Sequence, residues 1–507
     1  MALSYHFLGA GVTMNSIMRD YELANFDDFS ITKFPLSTGY CAQKIKLIDL
    51  FEEHLKIKMK KVHHSPVEKI IEFFVPIVSD CPDMKSINNY LVPDKLAVAA
   101  WDQKQFADQS QTSLILHRIT AENLLEPKEM FQKLLCQQSL FRQHPPNEWL
   151  VVDVNMSTLP VDPGTGTHER VSLEFMQKEK GKACKLTCPY TKGEFGEVFE
   201  RLFDSGTAQL TTKLVDLSLL IEKRVGSPPS SLAKSRNRIG SLPTQAKMLE
   251  GRAQRQEETA QIIETSQSFD ALRHHNPLHL ILIQADAAFG TLENSMLLIE
   301  LGYDFFLKRY SPQTLRLLLR QVLENQWIRF NSLTSVIELG IIKLSGCSYS
   351  DRFVLGRSKS AKSEPFQYFH LVTTVPDRLE DFLGVLKFYH ARKIIEAFIK
   401  TGKNVLNLKD FWVHNFYRIQ FTLTLRLLAH NFMNWARGEI YASTPLAWIR
   451  IREFIEQAMR VPAQIKPLKI KMPVPFFPGT NVYTQALVSA AEKKLSAQML
   501  LVFLNSR

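Results

Sequence analysis

A chain of 507 residues with 45% hydrophobic and 22% charged side chains has the length of roughly three domains and the composition of a globular protein. Its net charge of +11 suits an acidic partner such as a polyanion, although charge alone does not choose one. The six cysteines form no disulfide framework or zinc spacing, and no apolar run is long enough to span a membrane.

The first residues, MALSYHFLGAGVTMNSIMRDYE, lack a basic start and a clean apolar run, so a signal peptide is not expected and the cytoplasm is the expected compartment. Residues 1–145 read as a mainly helical N-terminal domain. Ser65 and Pro66 open a helix whose body is interrupted at Pro76, and Thr112 or Ser113 caps a shorter one. The basic run KIKMKKVHH precedes the first of these helices. Such a run is usually a solvated face, but here it also fits nucleic-acid binding.

At Trp149 the pattern changes. WLVVDV is a short apolar run after a turn signal and reads as a buried strand. HERVSLEFM and KACKLTCPY follow around KEKGK, which predicts a hairpin in the same sheet. Helices are then expected over TKGEFGEVFERLF and TAQLTTKLVDLSLLIEKRV. Residues 226–256 are rich in Ser, Pro, Gly and base and read as a linker, either contacting phosphate or simply solvated.

Order resumes with the strand NPLHLILIQAD, the helix TLENSMLLIELG, the strand YDFFLKRY, and a helix capped by Ser311 with Pro312 in its first turn. Strands alternating with helices predict an α/β sheet with the apolar strands central. Residues 327–376 are β-rich and read as a small inserted sheet. Beyond them, residues 409–437 predict a long amphipathic helix and 440–460 another. KPLKIKMPVPFFPG reads as an edge strand pair or extended arm, and a last helix is expected near 482–504.

Tyr389–Lys403, YHARKIIEAFIKTGK, reads as one continuous helix. At about 100° per residue, Tyr389, Arg392, Glu396 and Lys403 share one face, and Ala391, Ile394, Ile395, Phe398 and Ile399 crowd the other. A solvated Arg392–Glu396 pair would explain that face by itself. Two aspartates upstream argue for more. Asp153 lies within one apolar strand and Asp286 ends another, and a carboxylate there is costly unless paired or metal-bound. With Glu396 they would make an oxygen-rich site for a hard divalent cation.

This order of strands, helices and acids resembles the RNase H-like core of DDE transposases. Tyr389, Arg392, Glu396 and Lys403 match the Y-x2-R-x3-E-x6-K signature of one bacterial insertion-sequence group, and VVDVNMSTLP and QADAAFGTLENSMLLIELGYDFFLK resemble its two aspartate blocks. The resemblance covers roughly residues 90–475. It implies a mixed α/β sheet flanked by helices, with a core over 146–326 and 377–440, a β-rich insertion over 327–376, and a C-terminal region from 441 to 507. It also implies an N-terminal domain that binds DNA ends.

Carried over, Asp153, Asp286 and Glu396 would be catalytic and would hold Mg2+ or Mn2+, as two ions. Tyr389, Arg392 and Lys403 would contact DNA. Trp327 would stack on an extruded base, although a place in the sheet core suits it better. The partners implied are double-stranded DNA, as terminal inverted repeats and target, and a second copy of the chain; the expected location is with the nucleoid. Two departures stand out: Asn155 where the group often has an acid, and Gln284-Ala285 where it often has Arg-Gly. The activity implied is cut-and-paste DNA transposition. The alternatives are a related nuclease without mobility and a DNA-binding protein whose chemistry has decayed.

Overall fold

The computed structural model describes residues 29–30, 36–59, 63–144 (except 80, 82, 95–96 and 99–100), 149–225 (except 161–171, 177–178, 192–195 and 206–212), 280–343 (except 302), 351–455 (except 362–363, 376–381, 391, 409–412, 414, 441–444 and 448), 463–467, 473–477 and 502–503. The predicted linker at 226–256 and nearly all of the helix expected at 482–504 lie outside these residues. The chain divides into two units, one made of residues 1–139, 161–169 and 400–507, the other of 140–160 and 170–399.

The first unit opens with β1 (Phe29–Ser30), α1 (Leu36–Lys44), α2 (Leu47–His54), α3 (Pro66–Val78), α4 (Gln109–Arg118) and α5 (Leu125–Gln138). Ser65 caps α3 in a reciprocal box with Glu68, as the sequence suggests. Pro76 does not stop the helix, which ends two residues later. So close to the end, its missing N–H costs only a single bond. The cap of α4 is Asp108 rather than Thr112 or Ser113: its carboxylate accepts the N–H groups of Ser110 and Gln111.

The second unit is built on strands β2 (Trp149–Pro160), β3 (Ser172–Met176), β4 (Glu179–Thr191), β5 (Leu202–Ser205), β6 (Leu280–Ala285), β7 (Asp304–Arg309), β8 (Ile328–Arg329), β9 (Thr334–Ile342), β10 (Asp351–Ser358) and β11 (Gln367–Thr373). Helices α6 (Leu214–Val225), α7 (Leu292–Leu301), α8 (Pro312–Leu319) and α9 (Phe382–His390) belong to it, and α10 (Lys393–Asn404) begins in it. The strands form one ten-stranded mixed sheet in the order β3-β4-β2-β6-β7-β11-β10-β9-β8, with β5 also on β4. The central strands β2, β6 and β7 run parallel, and β4 pairs antiparallel with β2.

The expected small inserted sheet does not stand alone. β11 pairs with β7, so residues 328–373 extend the main sheet. The free edge of β7 offered unsatisfied backbone groups, and the β-rich stretch covers them. Nor does the helix expected over 191–203 form among the residues described there. Among the described residues of that stretch, Val198 bridges to Tyr190, and Leu202 begins β5. Two tertiary contacts override helix propensity here. Buried Glu197 accepts the N–H groups of Leu140 and Phe141, and Gly196 lies so close to the Tyr190 ring that a Cβ would meet it at 2.1 Å.

Side chains alternate across the central strands, and both faces are covered. Leu150, Val152 and Val154 of β2 join Ile281, Ile283 and Ala285 of β6 on one face, under α6 and α7. Val151, Leu282 and Phe306 lie on the other face with Leu386 of α9. Burying one side chain such as Leu386 contributes about 1.5–3 kcal/mol.

The chain completes the first unit with the end of α10, α11 (Phe416–Trp435), a short helix at Ile451–Phe454, and strands β12 (Ala463–Pro467), β13 (Pro473–Phe477) and β14 (Val502–Phe503). β12 and β13 pair antiparallel, as the sequence suggests for that arm. The expected core boundary at 440 falls instead at residue 399, because α11 packs with the N-terminal helices. It is buried on all sides rather than amphipathic, with even Arg426, His430 and Asn431 enclosed. Phe74 of α3 sets this core, edge-on to Phe51, Trp101 and Phe432 at 5.6–6.2 Å. Among the described residues between 440 and 455 only short turns of helix form, and 441–444, 448 and 456–462 lie outside the described residues.

Candidate active site

Asp153 sits midway along β2 and is fully buried. In register it lies opposite Gln284 of β6 on one side and Tyr190 of β4 on the other. Alternation puts Asp153 on the face of Val151, and Gln284 on the face of Leu282. Asp286 comes two residues after Gln284, just past the end of β6. Its carboxylate accepts the N–H of Ala288 at 3.0 Å and so holds the turn leaving the strand. Gly290 closes that turn against β7, where a Cβ would stand 1.9 Å from the Lys308 carbonyl oxygen.

Two helices cover this face. Leu386 anchors α9 in the cluster with Val151 and Leu282, and Tyr389 packs at its margin. Phe398 anchors α10 by stacking on Tyr190, with ring centroids 4.8 Å apart. The helix expected to run unbroken from Tyr389 to Lys403 is therefore two helices, parted at Arg392. The Arg392 N–H bonds to the Tyr389 carbonyl, and the Ile395 N–H to that of Arg392, both at 3.1 Å. These three-residue steps tighten the chain at the elbow, and the separate anchors of the two helices account for the bend.

The elbow places Arg392, nearly fully buried, beside both aspartates. Its Nε is 3.9 Å from Asp153 Oδ1, its Nη2 is 3.9 Å from Asp286 Oδ2, and Nη2 donates to the Val154 carbonyl at 3.4 Å. One guanidinium thus faces two carboxylates at distances too long for direct hydrogen bonds to either. Burial raises the pKa of Tyr389. The charge and hydrogen bond of Arg392 oppose that shift, while Asp286 and Glu396 add to it. Tyr389, Arg392, Asp286 and Glu396 therefore share one electrostatic neighbourhood.

Glu396 is exposed, one turn along α10 from Arg392. Among the described residues, no three acid, histidine or cysteine side chains stand close enough to hold an ion. The three acids thus form no closed set in this arrangement, in which the Arg392 guanidinium supplies the counter-charge to both aspartates. Lys403 lies in the last turn of α10, half-buried, and burial lowers its pKa. Trp327 is not brought to the acids. It packs against the Leu150 face of the sheet, and the Arg357 guanidinium lies 4.6 Å over its ring.

One residue in this neighbourhood, noted in the sequence only as a departure from the family pattern, was given no role there. Gln284 is fully buried, and neither amide atom has a hydrogen-bond partner among the described residues. An orphaned buried amide costs about 1–3 kcal/mol unless something binds it. The available signal was the amide itself, polar within an otherwise apolar strand next to Asp286. The Asp153 and Asp286 carboxylates and the orphaned Gln284 carbonyl are hard oxygen donors on one face, so the donor set suits Mg2+ or Mn2+ in kind. No protein-family model matches the chain, and no curated protein matches it.

Proposed function

We propose that the chain cleaves DNA strands and transfers them, as a DDE transposase with an RNase H-like core. The observation that carries this reading is the convergence of Asp153 and Asp286, from adjacent parallel strands, on Arg392 at the elbow that leads to Glu396. A central strand with an antiparallel neighbour on one side and two parallel strands on the other supports the RNase H-like assignment.

In this reading Asp153, Asp286 and Glu396 would hold two divalent ions, which would supply positive charge to activate a water or 3′-hydroxyl beside the scissile phosphate. Arg392 and Tyr389 do the binding work. The guanidinium holds its carboxylates only loosely, so an arriving phosphate can draw it into a charge-assisted pair. That movement frees the aspartate oxygens. The Tyr389 phenol, kept protonated by burial, donates to a phosphate oxygen. Lys403 grips the backbone further along, and Trp327 serves packing rather than base stacking. Terminal inverted repeats and target DNA are the substrates, handled by a homodimer in the nucleoid.

The test uses a supercoiled plasmid carrying the gene with its flanking DNA. With Mg2+ or Mn2+ the wild type nicks it, while Asp153→Asn and Glu396→Gln bind without nicking. Binding without nicking by the wild type itself would support a second reading, a DNA-binding protein whose chemistry has lapsed. The open arrangement of the three acids is the observation that favours that alternative.

A further inference from the structure

Three buried arginines of the second unit, Arg309, Arg352 and Arg357, each meet one carboxylate at 3.2 Å or less. Arg392 is as buried but stands off. It lies 3.9 Å from Asp153 and 3.9 Å from Asp286, and its Nε has no hydrogen-bond partner among the described residues. The bond that Nη2 makes to the Val154 carbonyl is long, at 3.4 Å. One cation thus serves two carboxylates from a compromise position and bonds closely to neither.

Any other cation touching Asp153 Oδ1 or Asp286 Oδ2 would have this guanidinium as its neighbour. Like charges so close in a buried site repel strongly, so the two aspartates accept one cation or the other. Arg392 also has partners away from the aspartates. It donates a hydrogen bond to the Tyr389 hydroxyl, and the exposed Glu396 lies one helical turn on. The side chain therefore has two sets of partners, and rotation about its own bonds is enough to pass between them.

We infer that Arg392 is a resident counter-cation that competes with a divalent ion for Asp153 and Asp286, and that a phosphodiester group relieves the competition by drawing the guanidinium away. This inference rests on the strand-cleavage reading and adds its regulation. Without a phosphodiester the arginine neutralises the aspartates and keeps ion affinity low. With one, the guanidinium has a better anionic partner and the carboxylates open to the ion. Binding linkage makes the effect reciprocal: the phosphodiester tightens the ion, and the ion tightens the phosphodiester by the same factor. The site is thereby charged in the presence of its substrate and held inert in its absence.

The experiment titrates Mn2+ into the full chain and reads the free ion by electron paramagnetic resonance. The proteins are the wild type, Arg392→Gln and Arg392→Lys, with thermal denaturation of each to establish the fold. Arg392→Gln removes the competing charge and should bind Mn2+ about tenfold more tightly than the wild type, a common size for coupling between sites. Arg392→Lys keeps the charge and should stay within about twofold of the wild type. A second arm adds thymidylyl-(3′→5′)-thymidine, which carries a single phosphodiester, at a concentration that calorimetry shows to be saturating. It should tighten Mn2+ binding by the wild type severalfold and leave Arg392→Gln unchanged. Mn2+ affinity in Arg392→Gln equal to or below that of the wild type would overturn the inference while leaving the strand-cleavage reading in place. So would equal gains in the Gln and Lys variants, which would make packing rather than charge the cause. If Arg392→Gln does not fold, the dinucleotide arm decides alone: wild-type Mn2+ affinity unmoved by it overturns the inference. No Mn2+ binding by any of the proteins, with or without the dinucleotide, would remove the strand-cleavage reading itself and the inference with it.

Discussion

The two faces of the central sheet each bury an arginine beside carboxylate, and they do so differently. On the Leu150 face, Arg309 bonds directly to Asp351 at 3.2 Å and to the Ser295 hydroxyl at 3.0 Å, with its guanidinium 5.6 Å over the Phe353 ring. His370 stacks on the same ring, and burial, aided by Arg309, pushes its pKa down to about 4. On the opposite face, Arg392 stands 3.9 Å from each of two aspartates, and Gln284 beside them bonds to nothing described. The direct pair ties β7 to β10, and in the proposed reading the longer one is placed to exchange partners.

Mutations should break the comparison along that line. Asp153→Asn should reduce metal-dependent strand cleavage on the order of 10³-fold or more, the scale of losing a directly acting charged group, while urea denaturation shows stability held or slightly raised. A variant that unfolds would instead place Asp153 among the structural ion pairs. On the other face, Arg309→Met should cost about 3–5 kcal/mol in the same denaturation experiment, because it strands Asp351. Asp351→Leu added to it should recover part of that loss. No recovery would mean that the pair is not the coupled unit described.

The pH dependence follows from His370. Its folded pKa is depressed below the ordinary 6.5, so the folded state binds fewer protons than the unfolded state between about pH 4 and 6.5. The stability it supports is complete above 6.5 and is lost as pH falls towards 4. His370→Phe should therefore lose about 2 kcal/mol less than the wild type between pH 7 and pH 5. Parallel pH curves would contradict the assignment. The smallest expected effect is at Gln284. If the amide awaits a ligand, Gln284→Leu should gain about 1 kcal/mol of stability and lose cleavage activity. A gain in stability with activity unchanged would make Gln284 a packing fault.

Much of the fold was legible before any coordinates. The apolar runs at Trp149, Leu280 and Asp304 become the central strands, and Ser65, Ser311 and Pro312 mark helix starts by local chemistry. What escaped depended on distant partners. Nothing local to residues 389–403 announces a break; it follows from Leu386 and Phe398 having separate anchors on the sheet. The stretch over 191–203 has a helical pattern, yet the buried Glu197 carboxylate and the tight approach of Gly196 to Tyr190 prevail. The aspartates were visible because a charge in an apolar strand is conspicuous. Arg309, Asp351 and His370 were not singled out, because their partnership exists only through the pairing of β7, β11 and β10.

The central claim is that the face bearing Asp153 and Asp286 takes a hard divalent ion. Titrating Mn2+ into the full chain and reading its electron paramagnetic resonance tests that without any assay of activity. The account predicts bound Mn2+ in the wild type and in His370→Phe, and none in Asp153→Asn or Asp286→Asn. Equal Mn2+ binding by all four proteins, or none by the wild type, would contradict it.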